Sequence, residues 1–473
     1  MDSRISARAL TAALGGWRTS EPAYEALADS IRLLCLDNRL APRTALPAER
    51  ELAAALHVSR STVAAAYRSL RDTSHISSTR GSGSVTLPLG RRDPGSASFE
   101  GAIDLQQASP PSWPGLAGVI GDVAGRAAAL VGRTGYDVLG RLELRAAIAE
   151  RYSARGILTD PGEILVTTGA QAAIHLLASV LLGRGDRVLI ETPTYPHAAD
   201  SLRGAGARLV GLPVTTSDGW DVDRAQQALA RTLPVAAYLM PDFQNPTGRS
   251  MTGHERDAIL DAAERAGTVL VLDETTADLD IDRGRVAPGF GGAEHGSIVR
   301  IGSFGKSVWG GLRVGWIRAG ADLVRRLVAA RSSHDLGTPE FEQAVAAELL
   351  PRFGEILAQR SHLLGEGRDA AVGALRAVLP EWTVPSPHGG VSLWIELDAP
   401  LSSALVMDAR SRGLLLSAGP RFSVDGGHDR HLRLPFTAPV DELERAVGIL
   451  ADSWRRVRTG APVAVTEQLE ALV

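Results

Sequence analysis

Lys306 is the only lysine in a 473-residue chain whose other basic side chains are 49 arginines. Arginine carries surface charge as well as lysine does, but its guanidinium stays protonated, whereas an ammonium can give up its proton and form a Schiff base with an aldehyde. A lone lysine in a chain otherwise emptied of them marks a place where amine chemistry is needed. It sits in Ile301-Gly302-Ser303-Phe304-Gly305-Lys306-Ser307.

A tethered aldehyde cofactor such as pyridoxal 5'-phosphate (PLP) would need an amine, a carboxylate for its pyridinium nitrogen and donors for its phosphate. Asp273, closing the apolar run Val269 to Leu272, places a fixed negative charge at the end of a buried strand. Thr168-Gly169-Ala170-Gln171 joins a strand to a helix, where free backbone N–H groups can receive a phosphate. Asn245-Pro246-Thr247-Gly248 sets an amide donor in a rigid turn, Tyr195 offers a face for stacking, and Ser303 and Arg313 flank the lysine as phosphate donors. Arg433, in His431-Leu432-Arg433-Leu434, can pair with a substrate carboxylate through two parallel hydrogen bonds.

In this order these segments resemble the fold-type I PLP enzymes of the aspartate aminotransferase class, over about residues 104–460. The resemblance implies a mostly parallel central sheet with a smaller C-terminal subdomain. It assigns the phosphate cup to Gly169, Ala170 and Gln171, stacking to Tyr195, and the phenolic oxygen to Asn245. It gives the pyridinium to Asp273, the internal aldimine to Lys306, the phosphate to Arg313, and the carboxylate to Arg433. Tyr136, in Gly135-Tyr136-Asp137-Val138-Leu139-Gly140, looks like the residue that reaches the neighbouring subunit's phosphate in dimers of the class. Two positions depart from the pattern: Thr275 stands where a tyrosine often bonds the phenolic oxygen, and Gly305 where a serine often precedes the lysine. Both losses weaken control of the cofactor, so sensing is a better expectation than efficient transamination.

The elements that must position these residues can be read from periodicity. Short apolar runs at 163–168, 187–191, 235–240 and 269–273 alternate with helical stretches opening at Ala170, Pro196 and near Gly253, the pattern of a buried, mostly parallel sheet in an α/β domain. Upstream, residues 22–40 carry Leu27, Ile31, Leu34 and Leu36 on a helical stripe, a second helix runs from Ala48 to about His57, and a third opens at Ser59. Ile76 to Val85 reads as two short strands around a glycine-rich turn. Three helices followed by a hairpin outline a winged helix-turn-helix, whose third helix would present Ser59, Arg60, Ser61 and Thr62 to bases and phosphates. Arg50 could grip a further phosphate and Arg80-Gly81 could follow the minor groove.

The string from Leu46 to Tyr67, with Arg80-Gly81-Ser82-Gly83-Ser84-Val85, resembles the DNA-binding domain of GntR-family regulators across residues 20–87. That resemblance assigns DNA contacts to Arg50, Arg60, Ser61, Thr62 and Gly81, while the glycine usual before the wing strand is replaced near Ser74-His75. Charge follows the same division: residues 1–87 hold 11 arginines against 8 acids, and the remaining 386 hold 39 basic residues against 46 acids. The front is mildly basic, as an anionic partner requires.

The expected organisation is a reader at 1–87, a Pro-, Gly-, Arg- and Ser-rich linker at 88–103, and an aminotransferase-like PLP-binding effector domain at 104–473. As a whole the chain resembles the MocR-type regulators. This implies operator DNA as partner, an effector that is PLP itself or a small amine or amino acid, and a head-to-tail homodimer. An active aminotransferase carrying a DNA-binding domain is the alternative, and a DNA-binding protein with a dead scaffold a third. The lone cysteine, Cys35, excludes an internal disulfide and fits a reducing cytoplasm. No signal peptide, membrane span or metal site is expected.

Overall fold

A computed structural model describes residues 3–14, 17–18, 22–36, 39–41, 43–73, 75–79, 83–87, 101–132, 134–284, 290 and 297–459. The expected linker lies outside these residues from 88 to 100, as do Arg80 and Gly81 at the expected wing tip and Ser74 before the wing strand.

The front unit holds four helices where the sequence reading found three: α1 (Ala7–Leu14), α2 (Ala23–Leu36), α3 (Glu49–Leu56) and α4 (Arg60–Asp72). The extra helix, α1, is only eight residues long and contributes Leu10 and Leu14 to a core shared with Leu27, Ile31, Leu52, Val63 and Tyr67. A short strand β1 (Ser3–Arg4) pairs in parallel with β2 (Thr44–Ala45), and β2 continues antiparallel into the hairpin of β3 (Ile76–Thr79) and β4 (Gly83–Thr86). These additions depend on pairing across 40 residues, which local periodicity does not carry.

In the described residues from 101 onward, β5 (Ile103–Asp104) leads into the large domain. Its main sheet comprises β6 (Ile164–Thr167), β7 (Arg187–Thr192), β8 (Arg208–Thr215), β9 (Gly219–Trp220), β10 (Ala236–Leu239), β11 (Val269–Asp273), β12 (Ile298–Ser303) and β13 (Gly315–Arg318), in the order β6-β13-β12-β11-β10-β7-β8-β9. Four of the seven pairings are parallel, and the other three are antiparallel. The central strands are buried on both faces, which explains their uninterrupted apolar character.

The direction of β13 matters for function. It runs against both β12 and β6, so the residue just before it reaches the same sheet edge as the loops that follow β6, β7, β10, β11 and β12. Ligands of open α/β sheets bind at such carboxyl ends.

A smaller unit is built on β14 (Ser392–Glu396), β17 (His431–Pro435) and β16 (Ser417–Ala418), with β15 (Leu414–Leu415) paired in parallel to β5. The helices Phe353–Val378, Ser402–Ser411 and Val440–Arg458 close its core around Trp382, Leu393, Leu432 and Trp454. Leu14, Trp17 and Leu33 of the front unit and Pro400, Leu401 and Met407 of this one line a cavity of about 60 Å³ between them.

Candidate functional site

The loops at that sheet edge enclose a cleft of about 770 Å³, lined by Ala170, Gln171, Tyr195, Asn245, Asp273, Ser303, Lys306, Arg313 and Arg433 among others. Ten of the eleven residues expected around a cofactor, with the expected carboxylate arginine included, therefore lie in the cleft or its wall, since Gly169 stands directly behind Arg313. Tyr136 is the exception: it is 72% exposed and does not line the cleft of its own chain.

Lys306 follows β12, and its Nζ donates to the carbonyl of Ala108 at 2.7 Å. Burial, reinforced by the positive charge of Arg433 and opposed by Asp273, lowers its pKa to about 8. Asp273 ends β11 and is 2% exposed. Its Oδ2 accepts from the Tyr238 hydroxyl at 2.5 Å and its Oδ1 from the Thr275 amide at 3.0 Å. Burial raises the carboxyl's pKa and the Tyr238 bond works against that shift. Register explains the contact: Tyr238 on β10 pairs with Val271, so Asp273, two residues on, shares its face.

At the phosphate end, Gly169 precedes the helix Ala170–Leu181 with φ at 83°, in a region where side chains are strained. A Cβ there would also meet the Arg313 guanidinium at 2.9 Å, so glycine is what lets the arginine lie against the turn. Arg313 Nη2 donates to the Thr168 carbonyl at 3.0 Å. Ser303 Oγ accepts from the Gly305 amide at 3.0 Å. Gln171 lines the cleft, but its Nε2 donates to Ser201 Oγ at 2.8 Å, toward the helix Pro196–Gly204.

The Asn245 turn is held from behind by a buried carboxylate that sequence reasoning gave no role. Glu191 accepts from Trp220 Nε1 at 2.9 Å, the Met240 amide at 3.0 Å and Gln244 Nε2 at 3.2 Å. Burial raises its pKa to about 8, against the pull of these donors. Gln244 in turn accepts from the amide and hydroxyl of Thr247 at 3.0 and 2.7 Å, which fixes the turn on both sides of Asn245. Glu191 and Tyr238 were each visible as a polar residue in an apolar strand, yet only the strand order says what they touch.

Arg433, on β17, is buried and donates from Nη2 to the Gln106 carbonyl at 2.5 Å, with its guanidinium 4.8 Å from the Phe422 ring centre. Burial lowers its pKa to about 10; Tyr195 opposes this and Arg421 adds to it. Arg421 also lines the cleft and was not anticipated from the sequence.

Two orphaned polar atoms test whether PLP suits this cleft. Asn245 Oδ1 and Arg433 Nε are buried without a hydrogen-bond partner. Amide oxygen and nitrogen exchange by a flip, so Asn245 can meet a phenolic oxygen, and Arg433 can meet a carboxylate. With a buried carboxylate, a neutralisable amine and a glycine-backed phosphate cup, the residues fit the cofactor.

On the front unit, Ser59 caps α4 by accepting from the Thr62 amide at 3.0 Å, as its position before the helix suggests. Its hydroxyl also lies 2.7 Å from Ser61 Oγ and 2.8 Å from Thr62 Oγ1. Arg50, Ser59, Arg60 and Ser61 are exposed and Thr62 is partly exposed, so all five lie at the surface formed by α3 and the start of α4. Arg60 Nε rests 3.4 Å from Glu49. His57 adopts the left-handed conformation that closes α3, and Tyr67 donates to the Pro47 carbonyl at 2.9 Å, locking α4 against the entry of α3.

Sheet, cleft and lysine define a class I and II aminotransferase domain, and residues 126–450 match that family's model, so the chain belongs to it. PLP is the cofactor of the class. Residues 23–85 match the bacterial regulatory proteins of the gntR family, and the two domains in this order form the MocR-type architecture.

Among similar proteins is the 2-aminoadipate transaminase of Thermus thermophilus, 33% identical over 316 residues that cover 66% of this chain and 78% of the relative. The HTH-type transcriptional regulator YisV of Bacillus subtilis is 28% identical over 325 residues, covering 67% of this chain and 66% of YisV. The corresponding figures for the regulator NorG of Staphylococcus aureus are 26%, 64% and 68%. Among solved structures, Thermus thermophilus LysN, complexed with N-(5'-phosphopyridoxyl)-L-leucine, superposes with a TM-score of 0.71 at 28% identity, covering 78% of this chain and 97% of LysN.

Proposed function

We propose that this chain is a PLP-dependent transcriptional regulator, in which a winged helix-turn-helix reader at 1–87 is joined through 88–103 to an effector domain at 104–473 that senses PLP or an amino compound at Lys306. The observation that carries this reading is the conjunction, in one chain, of the Lys306–Asp273–Asn245 cleft with the exposed face of Ser59 to Thr62. Similarity to named HTH-type regulators supports it.

When bound, PLP supplies an aldehyde that condenses with amines and a ring that withdraws electrons. Lys306 offers a neutral amine at mildly basic pH because burial disfavours its ammonium form. Asp273, held by Tyr238, keeps a proton on the pyridine nitrogen. Arg313 and the amides opening the helix Ala170–Leu181 receive the phosphate. Arg433 takes the effector's carboxylate, exchanging the Gln106 carbonyl for it. Thr275 donates to Asp273 from its backbone amide at 3.0 Å and from its side chain as well, so it helps to hold this carboxylate where the resemblance to the class would put a longer tyrosine.

The reader uses Ser59 to Thr62, Arg50 and the wing residues Arg80 and Gly81 on operator DNA. In a two-fold, head-to-tail homodimer, two readers face paired half-sites and Tyr136, exposed in one chain, serves the phosphate site of the other. A buried, unpaired Cys35 accords with a cytoplasmic setting. Among the described residues no helix is long and apolar enough to cross a membrane, and no cluster of three or more His, Cys, Asp or Glu side chains could hold a metal.

The nearly intact cleft supports a second reading, a working aminotransferase with a DNA-binding appendage. Incubation with PLP and paired amino and 2-oxo acids separates the two. A visible cofactor band that Lys306→Ala abolishes, without sustained turnover, supports sensing; turnover at about 1 per second or faster supports the enzyme.

A further inference from the structure

Arg421 lies in the short turn Gly419–Phe422, beside the Phe422 ring that supports Arg433, and it lines the same cleft. Its Nη2 is paired with Asp200 Oδ2 at 2.8 Å. That carboxylate is shared, because Asp200 Oδ1 also lies 3.8 Å from Arg203 Nη1. Asp425 answers Arg203 as well, so within the cleft Arg421 is the guanidinium at this end and Asp200 meets it through a single nitrogen. Arg421 donates to no other group among the described residues, so its Nε and Nη1 remain available.

The other charges of the cleft are already matched in the proposed site. Asp273 serves the ring nitrogen, Arg313 the phosphate, and Arg433 one carboxylate. His197, near Arg421, has its pKa lowered by burial and then by Arg421, and in neither protonation state does it carry a negative charge that could pair with the guanidinium. A ligand tail that is apolar would leave the two free donors of Arg421 desolvated and unpaired, and a cationic tail would be repelled. An anionic tail would form charge-assisted hydrogen bonds to a guanidinium that is 12% exposed.

We infer that the effector of this cleft is an amino acid with a second acidic group, received by Arg421 while Arg433 holds the first. This inference rests on the proposed binding of PLP and an amino compound at Lys306, and it adds the chemical class of that compound.

The test uses the full-length, PLP-loaded protein, titrated with L-glutamate and L-2-aminoadipate and with their uncharged counterparts L-glutamine and L-norleucine. Binding is read from the cofactor's visible band and by calorimetry. The diacids should bind at least about tenfold more tightly than the uncharged ligands, the scale of one charge-assisted contact. Arg421→Gln should collapse that ratio toward one, and Asp200→Asn, which removes the competing carboxylate, should increase it; circular dichroism checks that both variants fold. A ratio near one in the unaltered protein, or one unchanged by Arg421→Gln, overturns the inference while leaving the binding site standing. No response to any of the four ligands overturns the inference together with the site on which it rests.

Discussion

In the proposed site Lys306 carries the chemistry, and its surroundings set when it can act. As pH rises through about 8 the ammonium gives up its proton, so the rate of PLP capture should climb through that pH and then level off, measured by stopped-flow absorbance. The same shift has a sign for stability: between about 8 and the ordinary lysine value of 10.5 the unfolded chain binds a proton that the folded chain lacks, so this group favours folding more as pH rises. Lys306→Arg should remove the visible band of the bound cofactor and leave the fold intact. Tyr238→Phe deletes the hydroxyl that holds Asp273 and should weaken PLP binding by about 1.5–3 kcal/mol, the usual worth of a hydrogen bond to a charged group, read by fluorescence titration. Lys306, Asp273, Asn245 and Arg433 were legible in the sequence because each sits in a local motif whose residue types announce their chemistry. Tyr238, Glu191 and Arg421 were not, because their roles depend on which strand or helix lies beside them.

The phosphate cup shows what individual elements contribute. Gly315 opens β13 where it crosses the turn after β6, and a Cβ there would lie 2.8 Å from the Gly169 carbonyl carbon, 2.9 Å from the Ala170 nitrogen and 2.9 Å from the Gly302 oxygen. All three are backbone atoms, so Gly315→Ala must push strand and cup apart; PLP affinity should fall at least about tenfold, with a lower melting temperature. In the reader, Ser59→Ala removes the cap of α4 and should cost about 1 kcal/mol of that unit's stability in urea unfolding. Apolar runs made β6, β7, β10 and β11 readable, and helical patterns with the Ser59 cap did the same for α3 and α4, while β8 and β12 went unread. The antiparallel insertion of β13 was not readable, because strand direction is set by the path of the connections and leaves little local trace. Strand β1 was also invisible, since its two residues gain meaning only from pairing with Thr44 and Ala45.

Across the whole molecule, the mildly basic front and acidic remainder suit the proposed division of labour between an anionic polymer and a small ligand. Coupling between them requires that the effector unit have states with different affinities for its ligand. The small unit is well placed for this: it carries Arg433, pairs β15 with β5, and shares a cavity with the front unit. Arg60→Ala should weaken DNA binding and, if the guanidinium meets a phosphate, reduce the salt dependence by about one unit of slope. The most direct measurement is equilibrium binding of the operator by the PLP-loaded protein, the PLP-free protein and Lys306→Ala at fixed salt. The account predicts that the loaded protein differs from the other two, which resemble each other; identical affinity and footprint for all three would contradict it.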